Sequence, residues 1–280
     1  MAPVSALSSV HRALQVLEVV AAAGDGISAK AVARRLEYNL STTYHLLESL
    51  VTDGYLVRLE SRRGFGLGPK LPALHDRLVA QLPVPRGLGG ILGEVHSTAQ
   101  AGALYAAFRD GDVVVVAHDD CAEHPVPVIS AWRGALHATA VGKLLLADAD
   151  EVTRRGILDR DGLPAHAYRT MTELAELERE LAGVRRNDLA VDRGEFRERL
   201  ACMAAPVRMS TGSGGAAPVL VGAVAVAVPV VPAGGPGSIA DRRHRLERAI
   251  REGARRLTLA LQDPVSTGWD DGGPGAVRRG

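Results

Sequence analysis

Apolar residues recur at helical spacing over much of the first eighty positions, broken by a short hairpin pattern, and the longer strand-like apolar runs follow residue 100. Val10, Ala13, Leu14, Leu17, Val20 and Ala21 make one stripe on a helix that Ser8 or Ser9 caps and that runs to about Ala23. That stripe suits packing on its own domain or on a second subunit. Ser28–Leu36 carries Ala31, Val32 and Leu36 in phase, which predicts a second helix. After Glu37–Leu40 a third helix is expected to open at Ser41, whose hydroxyl can accept from an orphan backbone N–H. Thr43, Leu46, Leu47 and Leu50 fall on one face of it; Ser41, Thr42, His45 and Ser49 fall on the other. Gly54 closes the helix, and residues 55–60 and 65–67 read as two short strands joined by Ser61-Arg62-Arg63-Gly64. Two helices, a turn and a basic hairpin are the order of a winged helix-turn-helix. The small polar groups of its second helix would meet base edges in a major groove, and the hairpin arginines would meet phosphates. The DNA-contact candidates are therefore Ser41, Thr42, Thr43, His45, Arg58, Arg62 and Arg63. A dimerisation module or a protein-docking winged helix would show the same order of elements.

Leu71, Leu74, Leu78 and Leu82 lie in phase on an expected connecting helix from Pro69 to about Gln81, which Leu82-Pro-Val-Pro85 interrupts. The expected domains are thus 1–68, a linker helix over 69–85, a second domain over 86–262, and a Gly- and Asp-rich tail over 263–280 that should be disordered. Within the second domain a helix is predicted from Arg86 to about Gln100. Ala103–Phe108 and Val113–Ala117 form a hairpin about Asp110-Gly111, and Val126–Ala131 is a further strand. Helices begin near His137 and Glu151, and Thr172 caps another that reaches about Arg186. Cys202–Val207 and Leu220–Val228 read as central strands buried on both faces, and a helix from about Ile239 to Gln262 ends the domain.

Composition narrows the class. The 280 residues are 46% hydrophobic and 23% charged with a net charge of +1, an ordinary globular balance that argues against a broadly polyanion-coating protein. Residues 1–70 hold eight Lys/Arg against six Asp/Glu, so one such domain would bind DNA weakly and two or more copies would be needed on one operator. Two cysteines give no disulfide framework and fit a reducing cytoplasm. The longest apolar run, Val219–Val231, contains Pro229 and falls short of the roughly 20 residues a membrane span needs. No membrane anchoring and no secretory signal are expected.

Two stretches then carry a resemblance: Leu136-His-Ala-Thr-Ala-Val-Gly-Lys-Leu-Leu-Leu-Ala147 and Leu200-Ala-Cys-Met-Ala-Ala-Pro-Val207. With the winged helix before them, they closely resemble the IclR family of bacterial transcriptional regulators from about Ser9 to Gln262. The resemblance implies an α+β chain: an N-terminal winged helix-turn-helix, a linker helix and a C-terminal GAF-like effector domain with a six-stranded antiparallel sheet. It implies homodimers or homotetramers on partly palindromic duplex operators, controlled by a small, often acidic, metabolite. It also implies a pocket at Gly134, Ala140, Val141, Asp192, Leu200, Cys202, Ala225 and Ala227. The amides at Ala140 and Val141 would hold a ligand carboxylate there, as helix N-termini hold anions. Asp192 as a loop residue and Cys202 as a buried strand residue remain open alternatives.

Three departures from the family stand out. Ala225-Val-Ala-Val-Pro229 replaces a strand often reading Ser-x-Ser-Gly-Pro, so two hydroxyls that assist carboxylate binding are missing, each worth about 1.5–3 kcal/mol. A ligand larger or less polar than glyoxylate or pyruvate is expected, or none. Leu40 and His45 stand where the family usually carries basic residues, which points to a different or weaker operator, since His45 lacks the bidentate fork of Arg. Val230–Ser238 reads as a Pro/Gly-rich surface insertion.

His118-Asp119-Asp120-Cys121 with Glu123 and His124 has metal-binding residue types, but loops after strands are often rich in such residues, and no metal is assigned. No nucleophile elbow, phosphate loop or zinc-protease motif is present, so no catalytic residue and no cofactor are expected. The rival functions are an enzyme that converts a metabolite or binds a metal on the GAF-like domain, and an oligomeric regulator that takes no ligand.

Overall fold

The computed structural model describes residues 4–24, 26–59, 64–82, 84–126, 134–210, 217–230 and 241–262, with side chains from residue 9 on. The chain divides into two units, Met1–Gln81 and Leu82–Gly280. No described helix is long and apolar enough to cross a membrane.

In the first unit α1 (Val4–Ala22), α2 (Ala29–Leu36) and α3 (Leu40–Thr52) precede an antiparallel hairpin of β1 (Leu56–Leu59) and β2 (Gly64–Leu67), and α4 (Lys70–Val79) follows. Helix α1 starts a turn before the expected Ser8/Ser9 cap. Ser28 caps α2 by accepting from Ala31 N at 3.3 Å. The cap of α3 is Asn39 rather than Ser41: its side chain accepts from Thr42 N at 2.7 Å, and Ser41 lies inside the first turn. Val16, Val20, Ile27, Ala29, Val32, Leu47, Leu50, Leu56 and Phe65 form the core. Ile27 also exchanges backbone hydrogen bonds with Phe65, which ties the start of the two-helix unit to the hairpin.

The second unit is a five-stranded antiparallel sheet between two helical layers. Its elements are α5 (Leu88–Ala99), β3 (Gly102–Arg109), β4 (Asp112–Asp119), a 3-10 turn (Leu136–Ala138), α6 (Ala140–Asp148), α7 (Glu151–Asp161), α8 (Leu174–Asn187), β5 (Ala190–Arg193), β6 (Leu200–Met209), β7 (Val219–Pro229) and α9 (Arg243–Gln262). The strand order is β4-β3-β7-β6-β5. Asp110 and Gly111 both take positive φ, 50° and 78°, the twist-matched turn that the Asp-Gly pair predicts. Of the six strands implied by resemblance, five are seen among the described residues. The remaining expected strand, 126–131, lies outside them except for Val126, which is not in a strand. The cap expected at Thr172 is displaced to Glu173.

Strand β7 is buried along nearly its whole length, and its alternation sorts two residue sizes onto two faces. Val224, Val226 and Val228 point into the cluster made with α5 and α9, whereas Ala223 and Ala225 join the cluster made with α6 and α8. Thus one side of the sheet is bulky and the other is thin.

Candidate functional site

On α3 the burial pattern separates a core face from a free one. Thr43 and Leu47 are fully buried and Leu50 nearly so, while Ser41, Tyr44, His45 and Ser49 are exposed and Thr42 is half-buried. Thr43 was placed among the DNA contacts, and its position corrects that: its hydroxyl donates to Asn39 O at 3.0 Å inside the domain, where no base edge can reach. Tyr44 was missed. Its ring is 44% exposed on the same surface as His45, an apolar-looking residue that a polar-face count passes over. Arg58 pairs with Glu48 of α3 and lies 5.5 Å from the Phe65 ring centroid, while 60% of its side chain stays exposed. Arg62 and Arg63 lie outside the described residues.

In the second unit the expected pocket residues converge from three adjacent strands. Asp192 faces Cys202 across β5–β6, Cys202 faces Ala227 across β6–β7, and Ala227 faces Gly102 across β7–β3. Ala225 pairs with Ala204 one step along, and Leu200 precedes Cys202 by two on the same strand face. Ala140 and Val141 at the start of α6 belong to the buried cluster that contains Ala204 and Ala225 and abuts Cys202. Asp192 therefore sits in a strand rather than the loop that was the alternative, and Cys202 is the strand residue. Gly134, at φ 73°, lends its carbonyl to His166 Nε2 at 2.6 Å.

The residues of the Leu136–Ala147 stretch explain one another physically. Thr139 caps α6 by accepting from Gly142 N at 3.2 Å. A Cβ on Gly142 would lie 2.3 Å from Leu136 O, so only glycine lets the 3-10 turn fold against the helix. Buried His137 donates from Nε2 to Pro164 O at 3.1 Å, and burial lowers its pKa, which keeps the ring neutral. Lys143 is wholly buried. Its Nζ donates to Val191 O at 2.8 Å and sits 2.6 Å from Glu195 and 3.3 Å from Glu180. Glu195 and Lys143 were not anticipated as site residues. One charge among Val141, Leu144, Leu145 and Leu146 was the available signal, because a buried ammonium requires a carboxylate.

Asp192 is 2% exposed, and burial pushes its carboxyl up to about 7, with the Glu195 amide donating to Oδ1 at 2.6 Å and opposing that rise. Burial also pushes the Glu195 carboxyl and the Cys202 thiol up. The folded Asp192 keeps its proton to about pH 7, whereas the unfolded one loses it near 3.8. Stability therefore falls as pH rises between these values. Asp192→Asn keeps the acceptor and removes the ionisation, so its thermal midpoint should exceed that of the parent by several degrees at pH 8 and by clearly less at pH 4, near the unfolded value. Scanning calorimetry at both pH values checks this; an equal offset at both would show that the carboxyl does not titrate there.

A cleft of about 330 Å³ lies between α9 and the ends of β6 and β7, lined by Asp188, Arg208, Arg251 and Arg255 among others, and shares no residue with the expected pocket. Arg208 there is paired with Asp148 and Asp188, and Arg251 with Glu247, which leaves the cleft electrostatically balanced. The chemistry converges on the Asp192 row instead.

The IclR helix-turn-helix domain matches residues 9–60, and the bacterial transcriptional regulator IclR C-terminal domain matches residues 91–235. The chain is 28% identical over 210 residues to the HTH-type transcriptional regulator BhcR of Paracoccus denitrificans (strain Pd 1222), covering 72% of each protein. It is 28% identical over 205 residues to the HTH-type transcriptional regulator KdgR of Escherichia coli (strain K12), covering 71% of this chain and 77% of that one. Among solved structures, an IclR homolog complexed with 4-hydroxybenzoate from Microbacterium hydrocarbonoxydans matches with a TM-score of 0.63 at 22% identity, covering 90% of this chain and 98% of that one. The IclR transcriptional regulator from Alicyclobacillus acidocaldarius gives 0.64 at 23% identity over 91% and 98%. At these identities the two structures speak to the fold alone.

Proposed function

The chain belongs to the IclR family of bacterial transcriptional regulators, and from that premise we propose how its two units read DNA and sense a ligand. It is a regulator with a helix-turn-helix DNA-binding domain and a C-terminal effector-binding domain. In the proposed reading α3 enters the major groove with Thr42, Tyr44 and His45 toward base edges, and Arg62 and Arg63 grip phosphates from the hairpin. The observation that carries it is the exposed row Ser41, Tyr44, His45 and Ser49 on a helix whose opposite face is locked into the core. Homo-oligomers in the cytoplasm supply the second recognition helix. Val10 and Leu14, 63% and 52% exposed on α1, support that part of the reading, since apolar residues at helical spacing are the stuff of subunit contacts.

The effector is a carboxylate with a sizeable apolar body. The Ala140 and Val141 amides open α6, where N–H groups have no intrahelical partner, and suit the carboxylate. Ala225 and Ala227 suit a carbon skeleton. A protonated Asp192 would donate to the ligand, so binding should tighten as pH falls below about 7. The Microbacterium relative holds 4-hydroxybenzoate, a ligand of this description and the first probe to try. Because Asp192, Ala225 and Ala227 are buried, a ligand must part the α6 cover to reach them, and that opening is the population shift that would alter operator affinity. The same burial favours one further reading, a regulator that binds no ligand; a thermal-shift screen of aromatic and aliphatic carboxylates separates the two. Catalysis is disfavoured, because a thiol pushed up by burial is a poor nucleophile.

Selection of genomic fragments by the purified protein tests the DNA reading. The recovered duplex, titrated across salt concentrations, should show that replacing both Arg62 and Arg63 by Ala weakens all sequences alike and reduces the salt slope by about 2. An unchanged slope removes the hairpin from the interface.

A further inference from the structure

Three metal-ligating side chains meet at the end of β4, two from a Cys-x-x-His turn and the third from α5. Cys121 and His124 close a tight turn through His124 N to Cys121 O at 3.1 Å, which brings Cys121 Sγ to 3.6 Å from His124 Nδ1. From α5, His96 places Nε2 3.6 Å from the same sulfur. The three ligand atoms all lie within 4.8 Å of one another. A tetrahedral zinc with bonds of about 2.3 Å to sulfur and about 2.0–2.1 Å to nitrogen would hold those atoms roughly 3.5 Å apart, so the sulfur–nitrogen edges are already the right length.

A hydrogen-bonded thiol gives similar distances, and a spectroscopic titration distinguishes the two. Asp119 Oδ1 lies 2.5 Å from His96 Nδ1. That contact orients the imidazole so that Nε2 faces the sulfur. The Cys121 thiol also hydrogen-bonds the Glu123 carboxylate. Cys121 is exposed and His124 half-buried, so an ion can enter. His118 and Asp120, neighbours in sequence, are engaged elsewhere: His118 Nδ1 with Asp120 Oδ1 at 3.4 Å, and Asp120 Oδ2 with Val126 N at 3.1 Å.

We propose that His96, Cys121 and His124 bind a divalent ion of the zinc class, with Asp119 orienting His96 and with water or Glu123 in the fourth position. The thiolate with two imidazoles selects such an ion over the hard cations magnesium and calcium. The site lies apart from the Asp192 row, but the chain links them. The segment after His124 crosses bare backbone at Gly102, where a Cβ would stand 2.7 Å from His124 O and 2.8 Å from Val126 Cγ2, and Gly102 pairs with Ala227. A bound ion pins α5 to the segment laid against the end of that row. The site does not depend on the effector reading.

The test uses the full-length, untagged, reduced protein, stripped of metal and titrated with cobalt(II). One equivalent should give a thiolate-to-cobalt charge-transfer band in the near ultraviolet with the visible bands of tetrahedral coordination, and zinc should displace it. Zinc should remain at one per chain after desalting and raise the thermal midpoint. Cys121→Ser should abolish the band, Asp119→Asn should weaken binding about 10–100-fold, and Cys202→Ser should leave both unchanged. Circular dichroism confirms that each variant is folded. Absence of the band in the parent, or its survival in Cys121→Ser, overturns the proposal.

Discussion

Replacing Lys143 by Met is expected to destabilise the second unit by about 3–5 kcal/mol, the usual cost of removing one partner from a buried ion pair. The side chain is fully buried, and its ammonium is what holds Glu195, Glu180 and the Val191 carbonyl together. Without it the Glu195 carboxylate, only 7% exposed, is left facing protein. At about 2–4 °C per kcal/mol for a unit of this size, the thermal midpoint should fall by roughly 10 °C. The deficit should narrow as the pH drops and Glu195, whose carboxyl burial already pushes up, takes a proton. Pairing the change with Glu195→Gln should recover much of the loss, because the stranded charge is then gone. A loss under about 1 kcal/mol in urea titrations would mean that this cluster does not hold β5 to α6.

The second large effect belongs to α3. Changing Thr42 and His45 together to Ala should weaken binding to the selected operator by at least about thirtyfold, at about 1–3 kcal/mol per base-edge contact, while affinity for unrelated duplexes stays nearly constant. The thermal midpoint should hardly move, since His45 is exposed and the cap of the helix is the Asn39 side chain. Thr43→Val is the contrasting change. It removes a buried hydroxyl that serves Asn39 O and should cost about 1 kcal/mol of stability without altering sequence preference. Fluorescence anisotropy on matched and scrambled duplexes separates the two outcomes. Equal weakening on both would show that α3 touches only phosphates.

The elements legible in the sequence are those whose cause is local. The helix over Ser28–Leu36, the Asp110-Gly111 turn, and the two-sided burial of β7 each follow from neighbouring residues, and each stands about where its pattern puts it. Strand β5 was not foreseen, because Ala190-Val-Asp-Arg193 is four residues long and owes its conformation to pairing with β6. The cap of α3 went to Asn39 over Ser41; both side chains cap well, and position relative to the first buried turn chose between them. Lys143 and Glu195 are 52 positions apart in number, and His96 and Cys121 lie 25 apart, so only the folded chain could introduce them. The pocket set was placed by resemblance, and the strand register then explains why Asp192, Cys202 and Ala227 belong in one row.

The division of β7 into a valine side and an alanine side has a consequence for how such a receptor can diversify. Alanine and serine differ by one oxygen, so hydroxyls could be written into or erased from positions 225 and 227 with almost no change in steric bulk, while the valines opposite keep the scaffold rigid. Chemical taste and mechanical strength are thereby assigned to alternate residues of a single strand, and the first can drift without endangering the second.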